Sequence, residues 1–301
     1  MLEISGLRAG YGAVEAGRDY ATTNIPENEL RNEYLPPFAA AVEAGVASVM
    51  TSFSDLDGVP ATANAFLLRQ VLRAEWGFSG FVVSDWNSIQ QLAVHGLTDD
   101  DAGSALEAVA AGVDMDMAGG VYAAHLPRLV EAGRVPMETI DAAVASILRL
   151  KLRLGLFERP YRRSGALSVV KAEDARHAAR RAALRSVVLL KNDAAALPLS
   201  RSATNSLAVI GPLADEPYEQ LGTWIFDGDP AISVTGLRGL RELVGAGVAI
   251  RHVRALETSR SRASDGFDEA LEAARASDAV VLFLGEESIL SGEAHSRADI
   301  G

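Results

Sequence analysis

The run Gly80-Phe81-Val82-Val83-Ser84-Asp85-Trp86 constrains this chain more than any other stretch. Phe81, Val82 and Val83 are consecutive apolar, β-prone positions with no polar alternation, the pattern of a parallel strand buried on both faces. Asp85 falls at the C-terminal end of that strand. In a β/α barrel this end faces the active-site mouth, so a carboxylate there meets substrate and the adjacent Trp86 stacks on it. The competing reading makes Asp85 the N-cap of a following helix, and spacing alone does not separate the two.

The surrounding chain repeats helix and strand. Residues 11–32, with Gly12 and Gly17, read as loop; a helix is expected from Glu33 to Gly45 and a strand over Val46–Ser52. A polar loop over Ser54–Pro60 precedes a helix from Asn64 to Trp76 that turns Phe66, Leu67, Val71 and Leu72 inward. Helices are predicted over Asp101–Ala111, Val121–Ala132 and Met137–Leu154, with a strand at Val113–Met117 after the first. The order is that of an α/β barrel or a doubly wound sheet. Beyond an irregular stretch with Pro160, a helix over Ala172–Leu184 leads to four expected strands: Val187–Leu190, Leu207–Ile210, Val248–Ile250 and Ala279–Leu284. The helix Phe267–Ala276 precedes the last of them.

Composition narrows the function. A net charge of −12 with scattered basic residues argues against nucleic acid or an anionic membrane surface as partner, and a neutral ligand fits better. The absence of cysteine excludes disulfides, thiolate nucleophiles and Cys-ligated metals. There is no stretch of 18 apolar residues, and Met1–Ser5 lacks the charged and apolar regions of a signal peptide. The compartment stays open. No cofactor is expected: Gly10 and Gly12, or Gly222 and Gly228, make no phosphate-binding loop. No metal is expected either, because Asp55 with Asp57, and Asp114 with Asp116, lack the further ligands of a calcium loop.

The loop after the last strand, Gly285 to Arg297, holds Glu286, Glu287, Glu293 and His295, so it offers a general acid or is simply a solvated acidic loop. Two carboxylates in separate α/β units, one of them beside an aromatic, suit glycoside hydrolysis, one option among several that the chemistry alone leaves open. One attacks the anomeric carbon or activates water while the other protonates the leaving oxygen.

Several motifs in collinear order then carry a resemblance. Tyr34-Leu35-Pro36-Pro37-Phe38, Val49-Met50-Thr51-Ser52-Phe53, Glu75-Trp76-Gly77-Phe78, the Gly80–Trp86 run, Ala111–Met115, Ser186–Asn192, Val209-Ile210-Gly211-Pro212 and Ser291-Gly292-Glu293 together resemble glycoside hydrolase family 3. The resemblance implies a retaining enzyme with a barrel-like first domain and an α/β sandwich second domain, the site lying between them. It makes Asp85 the nucleophile and Glu293 the acid/base. Trp86, Met50, Arg18, Asp19 and Tyr20 become substrate-binding residues for a β-glucoside or oligosaccharide. The branch of the family with a histidine acid/base matches poorly, since Trp86 follows Asp85 and a second domain is present.

Two departures accompany it. The family's sugar-binding Lys-His pair has no counterpart, its positions being Gly6 and Leu7, and only about three barrel strands can be found before residue 155. The chain therefore reads as a fragment of α/β class. Residues 1–157 form the C-terminal part of a TIM-like (β/α) barrel, 158–178 a linker, and 179–301 the N-terminal part of an α/β sandwich. The expected activity is that of a retaining exo-β-glucosidase. The alternatives are a β-xylosidase or other exo-glycosidase of the family, and a non-catalytic remnant.

Overall fold

The computed structural model describes residues 10–161, 172–193, 195–292 and 295. The chain divides into two compact units, Met1–Val169 and Val170–Gly301.

In the first unit, α1 (Glu27–Glu29), a π-wound segment (Leu30–Tyr34) and α2 (Pro36–Glu43) lead into β1 (Ser48–Met50). A short antiparallel hairpin follows, β2 (Asp55–Leu56) and β3 (Val59–Pro60), in the stretch expected to be loop. Its turn is Asp57-Gly58, both at positive φ (51° and 83°), which is the dipeptide a tight hairpin turn favours. The helical segment Phe66–Glu75 is wound as a π-helix and carries the chain to β4 (Phe81–Val83). Its N-terminal turn is tied by the Asn64 side chain, which accepts from the Leu67 N–H at 3.0 Å. Leu67, Leu68, Val71 and Leu72 are fully buried, each contributing roughly 1.5–3 kcal/mol.

β4 pairs with β1 in parallel, Val49 opposite Val82 and Met50 opposite Val83. After α3 (Gln91–Val94) and α4 (Asp101–Ala111), the expected strand at Val113–Met117 reduces to a single parallel bridge, Val83 to Met115. Three parallel segments thus stand side by side, Ser48–Met50, Phe81–Val83 and Met115, each joined to the next through helix. α4 starts where Asp100 accepts from the Gly103 N–H at 2.7 Å and ends at Gly112, φ 108°. α5 (Val121–Glu131) and α6 (Met137–Arg153) follow.

The second unit opens with α7 (Ala172–Ser186). The strand expected at Val187–Leu190 does not form: these residues have no regular structure and are 64% to 91% exposed. A run of β-prone residues is a strand only when a neighbour supplies a ladder, and the described residues of this unit supply none to it. β5 (Ser206–Ile210) is central in a parallel sheet of order β6 (Ala249–Val253), β5, β7 (Ala279–Leu282). α8 (Gly236–Val244), a helix the sequence did not announce, connects β5 to β6, and α9 (Phe267–Arg275) connects β6 to β7. Ala208 and Ile210 pack with Ala273 of α9, whereas Val209 packs with Leu237 of α8. The helices therefore cover opposite faces, which is why β5 is an apolar run without alternation.

Candidate active site

Asp85 follows β4 by two residues and is 8% exposed. Its Oδ1 accepts from the Trp86 N–H at 2.7 Å, and its carbonyl accepts from the Ser88 N–H at 3.1 Å. An N-cap carboxylate bonds the amide two or three residues on, so the bond to Trp86 is not that of a cap. Trp86 itself is 62% exposed, its indole available to a ligand. Met50 ends β1 at the level of Val83, and the neighbouring Thr51 N–H donates to the Val83 carbonyl at 3.0 Å. Met115, which the sequence reading did not place in the site, is exposed at the same level on the other side of β4. The signal for it was its position one strand onward from Asp85.

Arg18, Asp19 and Tyr20 lie just after a short helical turn at Glu15–Gly17. Arg18 is exposed, and Asp19 and Tyr20 are half-buried. The Tyr20 ring lies 4.4 Å from that of Phe53, tilted by 46°, and so is held at the chain leaving the C-terminal end of β1. The hairpin holds the chain that follows Tyr20. Thr22 Oγ1 donates to Asp55 Oδ2 at 2.8 Å, Thr23 Oγ1 to the Asp55 carbonyl at 2.6 Å, and the Ile25 N–H to Asp57 Oδ1 at 3.0 Å. His95 Nε2 meets the Phe53 carbonyl at 2.9 Å. Asp55 and Asp57 thus hold backbone and hydroxyl groups of the loop carrying Tyr20.

A polar cavity of about 330 Å³ is lined by Arg69, Arg73, Asp114, Glu138 and Ser146. It belongs to the opposite end of β4, since Arg73 reaches the Gly80 carbonyl and Asp114 the Val82 N–H.

In the second unit, the loop after β7 is tied down at several points. Thr223 Oγ1 is shared between the Ser288 and Ser291 carbonyls at 2.7 and 3.2 Å, and Glu219 Oε2 accepts from the Ser288 N–H. Glu287 accepts from Ser259 Oγ and Arg260 Nε, both at 3.0 Å. The Arg260 bond holds the Glu287 carboxyl below the usual range, which keeps it ionised and makes it a poor proton donor. Glu293 lies outside the described residues; Gly292, which precedes it, is at φ 118° against Thr223.

Residues 8–150 match the glycosyl hydrolase family 3 N terminal domain, and residues 187–301 match the glycosyl hydrolase family 3 C-terminal domain. The chain belongs to glycosyl hydrolase family 3. Within that family it is 38% identical over 317 residues to the periplasmic beta-glucosidase of Salmonella typhimurium, covering 97% of this chain and 41% of that protein. It is also 38% identical to a beta-xylosidase of Formosa agariphila over 305 residues, covering 97% of this chain and 42% of that one. Among solved structures, a beta-glucosidase from Listeria innocua in complex with glucose superposes with a TM-score of 0.86 at 36% identity, over 99% of this chain and 40% of that chain. The chain spans about two fifths of the length of these relatives.

Proposed function

We propose that the chain supplies the reacting carboxylates of a retaining exo-β-glucosidase that releases terminal, non-reducing β-D-glucosyl residues by double displacement. Asp85 attacks the anomeric carbon and forms a glycosyl-enzyme; Glu293 protonates the leaving oxygen and then deprotonates the incoming water. Trp86, Met50, Arg18, Asp19 and Tyr20 bind the sugar. In this reading residues 1–157 are part of a TIM-like barrel, 158–178 a linker and 179–301 part of an α/β sandwich. The substrate is a β-glucoside or oligosaccharide, with no role for nucleic acid or membrane.

The observation that carries the reading is the place of Asp85: a buried carboxylate at the C-terminal end of a parallel strand, next to an exposed indole. Loss of aryl β-glucoside hydrolysis on Asp85→Asn substitution tests it, in the natural protein that carries this sequence. Retained hydrolysis would refute it.

The second reading, a β-xylosidase, is favoured by the equal identity to the Formosa agariphila beta-xylosidase. The ratio of kcat/KM for aryl β-glucoside and aryl β-xyloside separates them, since a glucosidase engages the hydroxymethyl group that xylose lacks.

A further inference from the structure

The ladder between β4 and its neighbour at Met115 is regular up to Ser84 and then changes. The Met115 N–H donates to the Val82 carbonyl at 3.1 Å and the Ser84 N–H to the Met115 carbonyl at 2.9 Å, as a parallel pair requires. In a regular continuation the Met117 N–H would donate to the Ser84 carbonyl, and the Trp86 N–H to the Met117 carbonyl. Neither bond forms. The Met117 N–H donates instead to Ser84 Oγ at 2.8 Å, and that hydroxyl donates to the Asp85 carbonyl at 2.9 Å. The next rung comes from Asn87, whose N–H donates to the Met117 carbonyl at 3.1 Å. Asn87 sits at φ 56°, a conformation Asn tolerates better than most residues.

The chain of β4 therefore carries one residue more than its neighbour across Asp85 and Trp86. This is a bulge, a device that bends a strand end and re-aims a side chain. It leaves the Trp86 N–H bonded to Asp85 Oδ1 at 2.7 Å. Ser84 is fully buried, so no solvent replaces its hydroxyl. Without that oxygen, the Met117 N–H either stays unpaired or falls onto the Ser84 carbonyl, closing the bulge and turning Asp85 toward the other face.

We propose that Ser84 is a positioning residue: its hydroxyl sets the bulge that aims the Asp85 carboxylate. The proposal rests on the reading of Asp85 as nucleophile. Ser84→Ala should slow attack on the anomeric carbon while leaving sugar binding and proton donation intact.

The test uses the natural protein that carries this sequence and a dinitrophenyl 2-deoxy-2-fluoro-β-glucoside, whose leaving group needs no proton. The inactivation rate constant then reports nucleophilic attack alone. Ser84→Ala should lower it on the order of 10²-fold, with the half-saturating concentration little changed, and Ser84→Thr should restore most of the rate. Amide exchange at Met117 should quicken in Ser84→Ala and not in Ser84→Thr. A merely structural role would lower the melting temperature and leave the rate constant of the folded enzyme unchanged, which would overturn the proposal. Should Ser84→Ala fail to fold, Ser84→Cys replaces it, since sulfur is a weak acceptor; inactivation as fast as Ser84→Thr would overturn the proposal equally. Labelling of Asp85 at the wild-type rate in Ser84→Ala removes the role of Ser84 alone. Labelling of a different carboxylate in the wild type removes the reading of Asp85 and the positioning role with it.

Discussion

Arg73 Nη2 meets Asp114 Oδ2 at 2.6 Å, and the same oxygen accepts the Val82 N–H at 2.7 Å. Arg73 belongs to the Phe66–Glu75 helix, Val82 to β4 and Asp114 to the segment beside β4 that follows α4, so one ion pair and its shared oxygen tie three elements at the end of β4 opposite to Asp85. Arg73 also lies 5.7 Å from the ring centre of Phe78 and reaches the Gly80 carbonyl at 3.3 Å. The pair anchors the strand whose other end carries the candidate nucleophile.

Removing one partner leaves the other largely buried and uncompensated. Arg73→Met should destabilise the first unit by roughly 2–3 kcal/mol, and adding Asp114→Asn to it should recover part of that loss. Urea denaturation of the two single variants and the double variant measures the coupling.

Burial pushes the Asp114 carboxyl above its ordinary value of 3.8, the Arg73 charge and the Val82 N–H opposing but not cancelling the effect. The folded state then binds this proton more tightly than the unfolded chain. The contribution of the group is present below 3.8 and is lost as pH rises through the raised folded value. Asp114→Asn should lack this segment of the stability profile, and Arg73→Met should extend it to higher pH. Denaturation midpoints across the acid range check both.

Gly80 immediately precedes β4 and has no room for a side chain. A Cβ there falls on the Ala47 carbonyl oxygen and 2.6 Å from Phe78 Cζ, so backbone would have to move. Gly80→Ala should therefore destabilise by about 2 kcal/mol or more, in the range of overpacked cores. A melting curve unchanged from the wild type would count against the packing described for β1 and β4.

Much of this fold was legible because the decisive residues are local. α4 was predicted with both ends correct: Asp100 bonds the Gly103 amide at 2.7 Å, and Gly112 takes up the left-handed turn. β5 was readable because both its faces are covered. The hairpin escaped, although Asp57-Gly58 signals it, because strands of two residues are too short to show alternation. α8 escaped because Gly236 and Gly239 dilute its pattern, its start being set by Thr235 Oγ1 accepting from the Arg238 N–H at 3.1 Å. Val187–Leu190 looked like a strand from composition, yet a strand depends on a partner that a single segment does not contain. The same distinction governs the site. The end-of-strand place of Asp85 follows from its own neighbours, whereas the work of Ser84 depends on register with Met117, and that of Thr223 on a loop 65 residues away.

Thr223 holds the Ser288 and Ser291 carbonyls of the loop that precedes Glu293, so with Glu293 as the proposed acid/base, Thr223→Val should weaken acid catalysis and spare nucleophilic attack. The expected signature is a fall in kcat/KM that grows as the leaving group becomes less acidic, about tenfold for unactivated glucosides and small for dinitrophenyl glucoside. A loss equal across leaving groups would assign Thr223 to folding alone.

If Glu293 is the acid/base, Glu293→Ala should lose most activity on poor leaving groups, and azide should restore turnover on activated ones by replacing the water that no longer has a base. Glu287, held ionised by Arg260, should show no such rescue. Azide rescue in Glu286→Ala or Glu287→Ala, and its absence in Glu293→Ala, would move the role within the loop.

Trapping of the glycosyl-enzyme reads the proposed nucleophilic role of Asp85 from the covalent bond itself. Incubation of the natural protein that carries this sequence with a 2-deoxy-2-fluoro glucoside bearing a good leaving group, followed by proteolysis and peptide mass mapping, locates the covalent sugar. One adduct is expected, on Asp85 in a peptide containing Gly80–Trp86, and none in Asp85→Asn. An adduct on any other carboxylate, or turnover of glucosides by Asp85→Asn at the wild-type rate, would contradict it.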